Sequence, residues 1–397
     1  MIERTKYLKQ LILFKDKKVI KVITGIRRCG KSTLLLQFIK YLKDNHIEDN
    51  RIVYMNMESA EYERITESTS LYESVSGKIA TGNHFYIIID EVQNVKGFEK
   101  AVNSLSIDYD VDIYLTGSNA YMLSSEIATL LSGRYVEIAM LPLTFQEYLS
   151  QWAEMDKERA FYQYMKYGGF PFLAKENDDS IINNYLDSIY NTIVLKDVVK
   201  RNSVKDITLL ENILKTVFSS IGSLVSANSI AKILHNEGRK ITNETVEKYL
   251  DMFCNAYIFR KATRYDIKGK SYLKTLNKYY VTDLGLRNNV LGYRQIEVTH
   301  ALENIIFLEL LNRGYKVDIG KNGNHEIDFI ARKNEIIEYY QVSFSVNASA
   351  DTLQRELRPF ENVPDFYRKI LITMDKDFIS DYNGIQKYYA VDWLLEK

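Results

Sequence analysis

The amino-acid sequence predicts an α/β protein whose first domain is built on a parallel β-sheet. A β-rich apolar run at 19–24 leads through a glycine-rich loop into an amphipathic helix that ends near Leu42. A second apolar run at 84–91 ends in two acidic residues, and a third at 110–118 ends in small polar residues. Runs of this kind are typical of strands buried on both faces of a parallel sheet. The polar residues after them should therefore lie at the carboxyl edge of that sheet.

The loop after the first strand follows the pattern G-x-x-x-x-G-K-[ST], in the strand–loop–helix setting that the motif requires. Its glycines let backbone N–H groups curl around phosphates, and the helix N-terminus adds a favourable field for an anion. Lys31 supplies a positive charge, and the hydroxyl of Ser32 is placed to ligate Mg²⁺. The pattern predicts a nucleoside triphosphate site formed by Gly25, Ile26, Arg27, Arg28, Cys29, Gly30, Lys31, Ser32 and Thr33.

The second apolar run ends at Asp90 and Glu91. We interpret Asp90 as the residue that holds Mg²⁺ through water, and Glu91 as the base that polarises an attacking water. An acidic pair at a strand end can also be plain solvated surface. Its place beyond a phosphate-binding loop favours the catalytic interpretation.

The third apolar run ends in Thr116, Ser118 and Asn119. A polar side chain on the strand beside the acidic pair can reach the γ-phosphate and the attacking water, which is a sensor role. Gly-Ser-Asn is also a common turn. The position in the strand order favours the sensor.

Length and composition limit the number of domains, the partners and the compartment that can be expected. The 397 residues exceed what one core usually holds, so two or three domains are expected. Lys+Arg and Asp+Glu both number 52, so any nucleic-acid surface must be local. Two cysteines provide no disulfide framework, and the charged N-terminus lacks the apolar segment of a signal peptide. We expect a cytoplasmic protein without a membrane partner.

Five segments of the chain resemble prokaryotic AAA+-type ATPases known only as ATP-binding proteins, in which an AAA domain precedes a C-terminal domain of unknown function. The segments are GIRRCGKST, FYIIIDEVQ, IYLTGSNA, LLSGRYVEIAMLPLTFQEYL and YGGFP. The resemblance spans essentially the whole chain and implies five strands in an AAA+ sheet with the phosphate-binding strand central. It implies ATP and Mg²⁺ as cofactors.

The same resemblance implies that Asn119 or Ser118 is the sensor and that Arg134 is a candidate arginine finger. The alternative is that Arg134 is a structural arginine paired with an acid. A finger that reaches a neighbour's site needs a homo-oligomer, which the sequence does not show. A helical lid over the adenine is also implied. Gly168 to Pro171 would then either let the backbone and Phe170 approach the base, or form an ordinary turn between helices.

Three helices followed by a hairpin at 208–293 predict a winged helix-turn-helix. Its third helix carries Glu244, Glu247 and Asp251 against Lys248, which disfavours insertion into the major groove. The positive charge lies in the hairpin, on Arg260, Lys261, Arg264, Lys268, Lys270, Lys274 and Lys278. We expect these wing residues, 260–278, to contact nucleic-acid backbone, with a protein-interaction module as the alternative.

The last part of the chain has the layout of a PD-(D/E)xK endonuclease, in which carboxylates hold Mg²⁺ and a lysine helps to activate water. Glu303 on a helix and Asp328 in a strand fit this layout. Gln341-Val342-Ser343 replaces the E-x-K element, so we predict that this part does not cleave nucleic acid. The expected domains are a P-loop ATPase core at 1–150, a helical lid at 151–207, the winged helix at 208–293 and an inactive endonuclease-like domain at 294–397.

These expectations combine into one functional hypothesis, that Mg²⁺-dependent ATP hydrolysis rearranges C-terminal DNA- or protein-binding domains. Two alternatives stay open at this point. One is a signalling or scaffold module in which bound nucleotide is a switch and turnover is negligible. The other is an ATP-dependent DNA-processing or defence nuclease.

Overall fold

The computed structural model describes residues 2–120, 131, 133–152, 154–236, 238–239, 241–294 and 297–396, apart from the side chains of Lys274 and Thr275. The chain forms two compact units. The first comprises residues 1–142 with 255–257, and the second comprises 143–254 with 258–397. The sequence also predicts a helix at 120–131, which falls mostly outside the described residues.

The first unit is built on a five-stranded sheet in the order β2-β3-β4-β1-β5, and every pairing in it is parallel. Its strands are β1 (Ile20–Thr24), β2 (Ile52–Asn56), β3 (Phe85–Asp90), β4 (Val111–Gly117) and β5 (Tyr135–Ala139). Its described helices include α1 (Thr5–Leu13), α2 (Lys31–Asp44), α3 (Ser68–Ser76) and α4 (Phe98–Asp108).

This sheet confirms the predicted α/β class. Strands β1 and β3 are buried along their whole length, as their continuous apolar sequences predict. Strand β1 has a neighbour on each side, but it lies second from the edge rather than in the middle. The parallel register places Thr24 beside Gly117 and Asn56 beside Asp90, so the carboxyl ends of β1, β3 and β4 share one edge.

A polar pair interrupts the apolar interior of this sheet. Lys21 on β1 and Asp112 on β4 are both buried and form an ion pair. The hydroxyl of Tyr114 donates a second hydrogen bond to Asp112, at 2.8 Å. The buried charges are therefore paired and hydrogen-bonded, as a low-dielectric interior requires.

The second unit combines helices with a nine-stranded mixed sheet. Its helices are α5 (Phe145–Leu149), α6 (Lys157–Tyr167), α7 (Asp179–Thr192), a π-helical continuation (Ile193–Lys200), α8 (Ile207–Ser219), α9 (Ala227–Asn236), α10 (Asn243–Asn255), α11 (Leu284–Leu291), α12 (Val298–Asn312), α13 (Ala350–Leu357) and α14 (Ala390–Leu395). Its strands are β6 (Leu224–Val225), β7 (Phe259–Asp266), β8 (Ser271–Val281), β9 (Lys316–Asn322), β10 (His325–Lys333), β11 (Ile336–Val342), β12 (Arg368–Thr373), β13 (Asp381–Tyr382) and β14 (Ile385–Tyr389).

The strand order in this sheet is β13-β14-β12-β11-β10-β9-β7-β8-β6. The hairpin of β7 and β8 is antiparallel, and β7 also pairs in parallel with β9, where Arg264 lies opposite Ile319. The strands on either side of the proposed boundary at residue 293 therefore belong to one sheet. The helices α8, α9 and α10 precede the hairpin in the predicted order, and the four-domain division itself remains a proposal.

The turn at Gly168 packs against Asp283, the residue that caps α11. Asp283 accepts hydrogen bonds from the N–H groups of Gly169, at 2.7 Å, and Leu286, at 3.3 Å. A Cβ atom on Gly168 would lie 2.0 Å from the Asp283 carboxylate, so only glycine fits there. These contacts support the interpretation of the Gly168–Pro171 segment as a tightly packed turn. Burial raises the pKa of Asp283 to about 7, although these backbone donors act in the opposite direction.

Among the described residues, none of the helices is both long enough and apolar enough to cross a membrane.

Candidate functional site

The glycine-rich loop joins β1 to α2, and its backbone conformation is specific. Arg28 and Gly30 both have positive φ angles, 67° and 106°. Successive residues with such alternating conformations turn their N–H groups inward and form a concavity that suits an anion. A Cβ atom on Gly25 would lie 2.2 Å from the carbonyl oxygen of Met140, so this close approach requires glycine.

Lys31 is the first residue of α2, and its side chain is buried. Its ammonium donates to the carbonyl oxygens of Gly25, at 3.1 Å, and Ile26, at 3.3 Å. The same Nζ lies 3.5 Å from the Glu91 carboxylate. The fold therefore brings the ammonium of Lys31 next to Glu91, the acid that follows β3.

Asp90 is the last residue of β3 and is fully buried. It accepts a hydrogen bond from the hydroxyl of Thr116 on β4. Burial raises the pKa of Asp90 above its ordinary value, although hydrogen bonds from Ser32 and Thr116 lower it in part. The hydroxyl of Ser32 and the carboxylate of Asp90 are thus adjacent oxygen donors. Hard oxygen ligands of this kind fit Mg²⁺.

Glu91 follows β3 in a left-handed conformation, with a φ of 54°. Its N–H donates to the Thr116 hydroxyl at 2.8 Å, and its carboxylate accepts a hydrogen bond from Ser118 at 3.1 Å. Burial alone would raise the pKa of Glu91, but the charges of Lys31 and Arg27 bring it below its ordinary value. Glu91 is therefore an ionised carboxylate, fixed in place and suited to orient a water molecule.

Gln93 and Thr116 also belong to this cluster. The sequence assigned Gln93 no role and indicated Thr116 only as one of the three polar residues at the end of the third apolar run. The amide Nε2 of Gln93 donates to the Glu91 carboxylate and, at 3.3 Å, to the hydroxyl of Ser118. The Thr116 hydroxyl donates to the Asp90 carboxylate and accepts the Glu91 N–H, so it connects the side chain of Asp90 to the backbone of Glu91. A signal for Thr116 was its place at the end of the third apolar run. Gln93 carried none beyond its nearness to Glu91.

The other predicted site residues have the following places. Asn119 is buried after β4, and Ile26 and Cys29 are buried in the loop. Arg27 pairs with Glu58 at 2.7 Å, and Thr33 is half-buried on the first turn of α2.

Arg134 lies just before β5 and is exposed. Its guanidinium donates to the side-chain oxygen of Asn103 on α4, at 3.0 Å. This hydrogen-bond partner is a neutral amide rather than the acid of the structural alternative. Its role as an arginine finger remains a proposal.

The structure corrects the expectation for one wing residue. Lys278 on β8 is buried, with its ammonium 2.9 Å from Glu303 on α12 and 2.8 Å from Glu326 on β10. Asp328 lies 3.9 Å from the same ammonium. Burial lowers the pKa of Lys278, but these carboxylates outweigh it and raise the pKa above its ordinary value. Lys278 is therefore charged and held away from any phosphate.

The rest of the wing is solvent-facing at its tip. Lys268 and Lys270 lie in the turn between β7 and β8 and are exposed, and Lys261 on β7 is exposed as well. Arg260 and Arg264 are half-buried, and the side chain of Lys274 lies outside the described residues. On α10, the acidic residues Glu244, Glu247 and Asp251 are exposed, so the acidic surface expected for this helix is observed.

Comparison with known proteins shows two family matches. Residues 17–149 match an AAA domain, and residues 158–297 match a domain of unknown function. An uncharacterized protein of Haemophilus influenzae is 43% identical over 403 residues, covering 100% of this chain and 99% of its own length. An uncharacterized protein of Methanocaldococcus jannaschii is 32% identical over 365 residues, covering 86% of this chain and 78% of its own.

Among solved structures, a Walker-type ATPase of Pyrococcus abyssi is similar in fold. The two structures match with a TM-score of 0.53 at 14% sequence identity, and the match covers 73% of this chain and 96% of the Pyrococcus abyssi chain. This likeness bears on the fold, which is that of P-loop AAA-type proteins. Because the Haemophilus influenzae relative is 43% identical over nearly its whole length, the chain belongs to the family of proteins in which a P-loop AAA domain is followed by a domain of unknown function.

Proposed function

We propose that the protein binds ATP with Mg²⁺, hydrolyses it, and uses the cycle to rearrange its C-terminal DNA- or protein-binding part. The observation that carries this proposal is the position of Glu91. Its ionised carboxylate is 3.5 Å from Lys31 and is held by Ser118 at 3.1 Å, next to the phosphate-binding loop. A loop built only to bind nucleotide does not require a second acid fixed in this way.

Each residue has a distinct task in this proposal. The N–H groups of the loop and the Lys31 ammonium bind the phosphates. Ser32 and Asp90 would hold Mg²⁺, which supplies positive charge to the phosphate oxygens. Glu91 accepts a proton from the attacking water, while Gln93 and Ser118 keep its carboxylate oriented. Arg134 would stabilise negative charge at a neighbouring subunit's site in a homo-oligomer.

The experiment is steady phosphate release by the purified protein in ATP and Mg²⁺, together with direct nucleotide binding. Wild type should bind and turn over ATP, and Lys31→Ala should lose binding because it removes a cation from the phosphates. Binding without measurable phosphate release would favour the alternative, a nucleotide-switched scaffold. Absence of both activities from folded wild-type protein would contradict the proposal.

A second candidate function is contact with nucleic-acid backbone through the wing. The exposed positions of Lys268 and Lys270 at the hairpin tip favour it, since flexible cations of this kind contact phosphates without reading bases. Binding should then be salt-dependent and insensitive to sequence. Reversing both lysines to glutamate should weaken it equally for every duplex tested, and strong discrimination between duplexes at equal salt would contradict this assignment.

A further inference from the structure

Arg4 lies deep in the first unit, just before α1, and is 1% exposed. Its Nη1 donates to the carbonyl oxygen of Cys29 in the phosphate-binding loop, at 2.8 Å. Its Nη2 donates to the carbonyl oxygens of Leu141, at 2.7 Å, and Pro142, at 3.3 Å. One guanidinium therefore ties the loop to the segment that follows β5.

The contact with Cys29 constrains the next peptide group. A peptide bond is planar and trans, so the carbonyl of Cys29 and the N–H of Gly30 point in opposite directions. Because the carbonyl points at Arg4, the N–H of Gly30 must point away from Arg4. Gly30 directly precedes Lys31 at the start of α2, where backbone N–H groups face a bound anion.

Arg4 is itself held in place by elements around the loop. Its backbone N–H donates to the Gln37 side chain on α2 at 3.2 Å, and the Gln37 amide donates to the carbonyl of Ile2 at 2.6 Å. The hydroxyl of Tyr7 accepts the N–H of Leu141 at 3.1 Å. Arginine suits this position, because its planar fork presents separate donors to two carbonyl groups at once.

We infer that Arg4 is a positioning residue of the nucleotide site, which fixes the Cys29–Gly30 peptide so that the Gly30 N–H faces a phosphate of bound ATP. This inference rests on the proposed function. The N-terminal segment therefore helps to position the phosphate-binding loop.

The test compares Arg4→Met and Arg4→Lys with wild type, using a fluorescent ATP analogue with Mg²⁺ to measure affinity. The matched control is Arg51→Met, because Arg51 also donates to a backbone carbonyl in this unit, that of His84 at 3.2 Å, away from the loop. Hydrogen exchange in nucleotide-free protein gives a second readout, from peptides covering 25–31 and 85–90. Arg4→Lys keeps the charge on a single ammonium without the planar fork, and so covers the case in which Arg4→Met does not fold.

Arg4→Met should bind the analogue roughly tenfold more weakly or worse, the loss expected for one hydrogen bond to a charged group. Exchange should rise over 25–31 and stay unchanged over 85–90. Arg4→Lys should be intermediate, and Arg51→Met should match wild type. Native affinity and native exchange in both Arg4 variants would overturn the inference. A wild type that binds no analogue would overturn the proposed function as well, so the wild-type measurement separates the two failures.

Discussion

The ammonium of Lys278 lies 2.9 Å from the carboxylate of Glu303, and both side chains are buried. Glu326 and Asp328 face the same ammonium, so one cation compensates several acids. Removing one partner of a buried pair leaves an uncompensated charge. These contacts of Lys278 therefore hold strand β8 against helix α12 and strand β10.

We predict that Lys278→Met lowers the free energy of unfolding of the second unit by about 3–5 kcal/mol. Urea unfolding followed by tryptophan fluorescence measures this unit, since Trp152 and Trp393 both lie in it. The control is Lys268→Met on the same hairpin, whose exposed side chain should contribute no more than about 0.5 kcal/mol. Equal stability of the two variants would show that the buried cluster is not stabilising.

A second prediction is that the second unit does not cleave nucleic acid. Lys278 takes the space between Glu303, Glu326 and Asp328, and among the described residues no group of three or more His, Cys, Asp or Glu side chains is arranged to hold a metal. Gln341 and Ser343 supply neither the carboxylate nor the lysine of the nuclease pattern. Plasmid and single-stranded DNA should survive incubation in Mg²⁺ or Mn²⁺, with and without ATP. Cleavage that disappears in Asp328→Ala would refute this.

A third prediction concerns the base. Glu91→Gln should retain nucleotide binding and slow phosphate release by about a hundredfold or more, because a neutral amide cannot accept the proton. Gln93→Ala should lower kcat to a smaller extent with little effect on binding, since it removes only a donor that orients Glu91. Single-turnover phosphate release measures both variants. Native turnover by Glu91→Gln would show that the base has been wrongly assigned.

Arg134 allows a test in mixtures. Arg134→Ala should reduce hydrolysis without weakening nucleotide binding, because its proposed action is on a neighbouring subunit's transition state. Mixing it with Lys31→Ala protein should restore part of the activity, since some interfaces then combine an intact loop with an intact arginine. Absence of rescue, with a monomeric mass in ATP and Mg²⁺, would exclude action between subunits.

The buried carboxyl of Asp283 predicts a pH dependence. Its pKa of about 7 in the folded protein exceeds the ordinary value of 3.8, so the folded state binds this proton more tightly than the unfolded state. This contribution to stability is present below about pH 4 and is lost as the pH rises to about 7. Between pH 5 and pH 8, wild type should lose about 2–3 kcal/mol more than Asp283→Asn, which cannot titrate. Urea unfolding at both pH values measures the difference, and parallel losses would contradict it.

The sequence by itself determined the parts of the protein that are local in the chain. Residues 25–33 lie on one continuous loop and helix turn, so their spacing alone predicts a phosphate-binding conformation. The apolar run before Asp90 predicts its own burial, and with it the place of the two acids at the end of β3. The α/β class with a parallel sheet follows from the alternation of such runs with helices, whereas the expectation of five strands came from the family resemblance.

Only the tertiary structure decided which distant side chains complete these sites. The parallel register of β3 with β4 brings Ser118 to the Glu91 carboxylate and to Gln93, two contacts that the expected strand order allowed but did not specify. In the sequence, Lys278 looked like one of several wing cations. The pairing of β7 with β9 makes the hairpin part of the larger sheet, and Lys278 is buried there. Arg4 is far from Cys29 in sequence, and chain packing alone places its guanidinium against that carbonyl. A sequence motif predicts contacts between residues that are close in the chain. The balance of charges and hydrogen-bond donors in a buried site depends instead on every element that surrounds it.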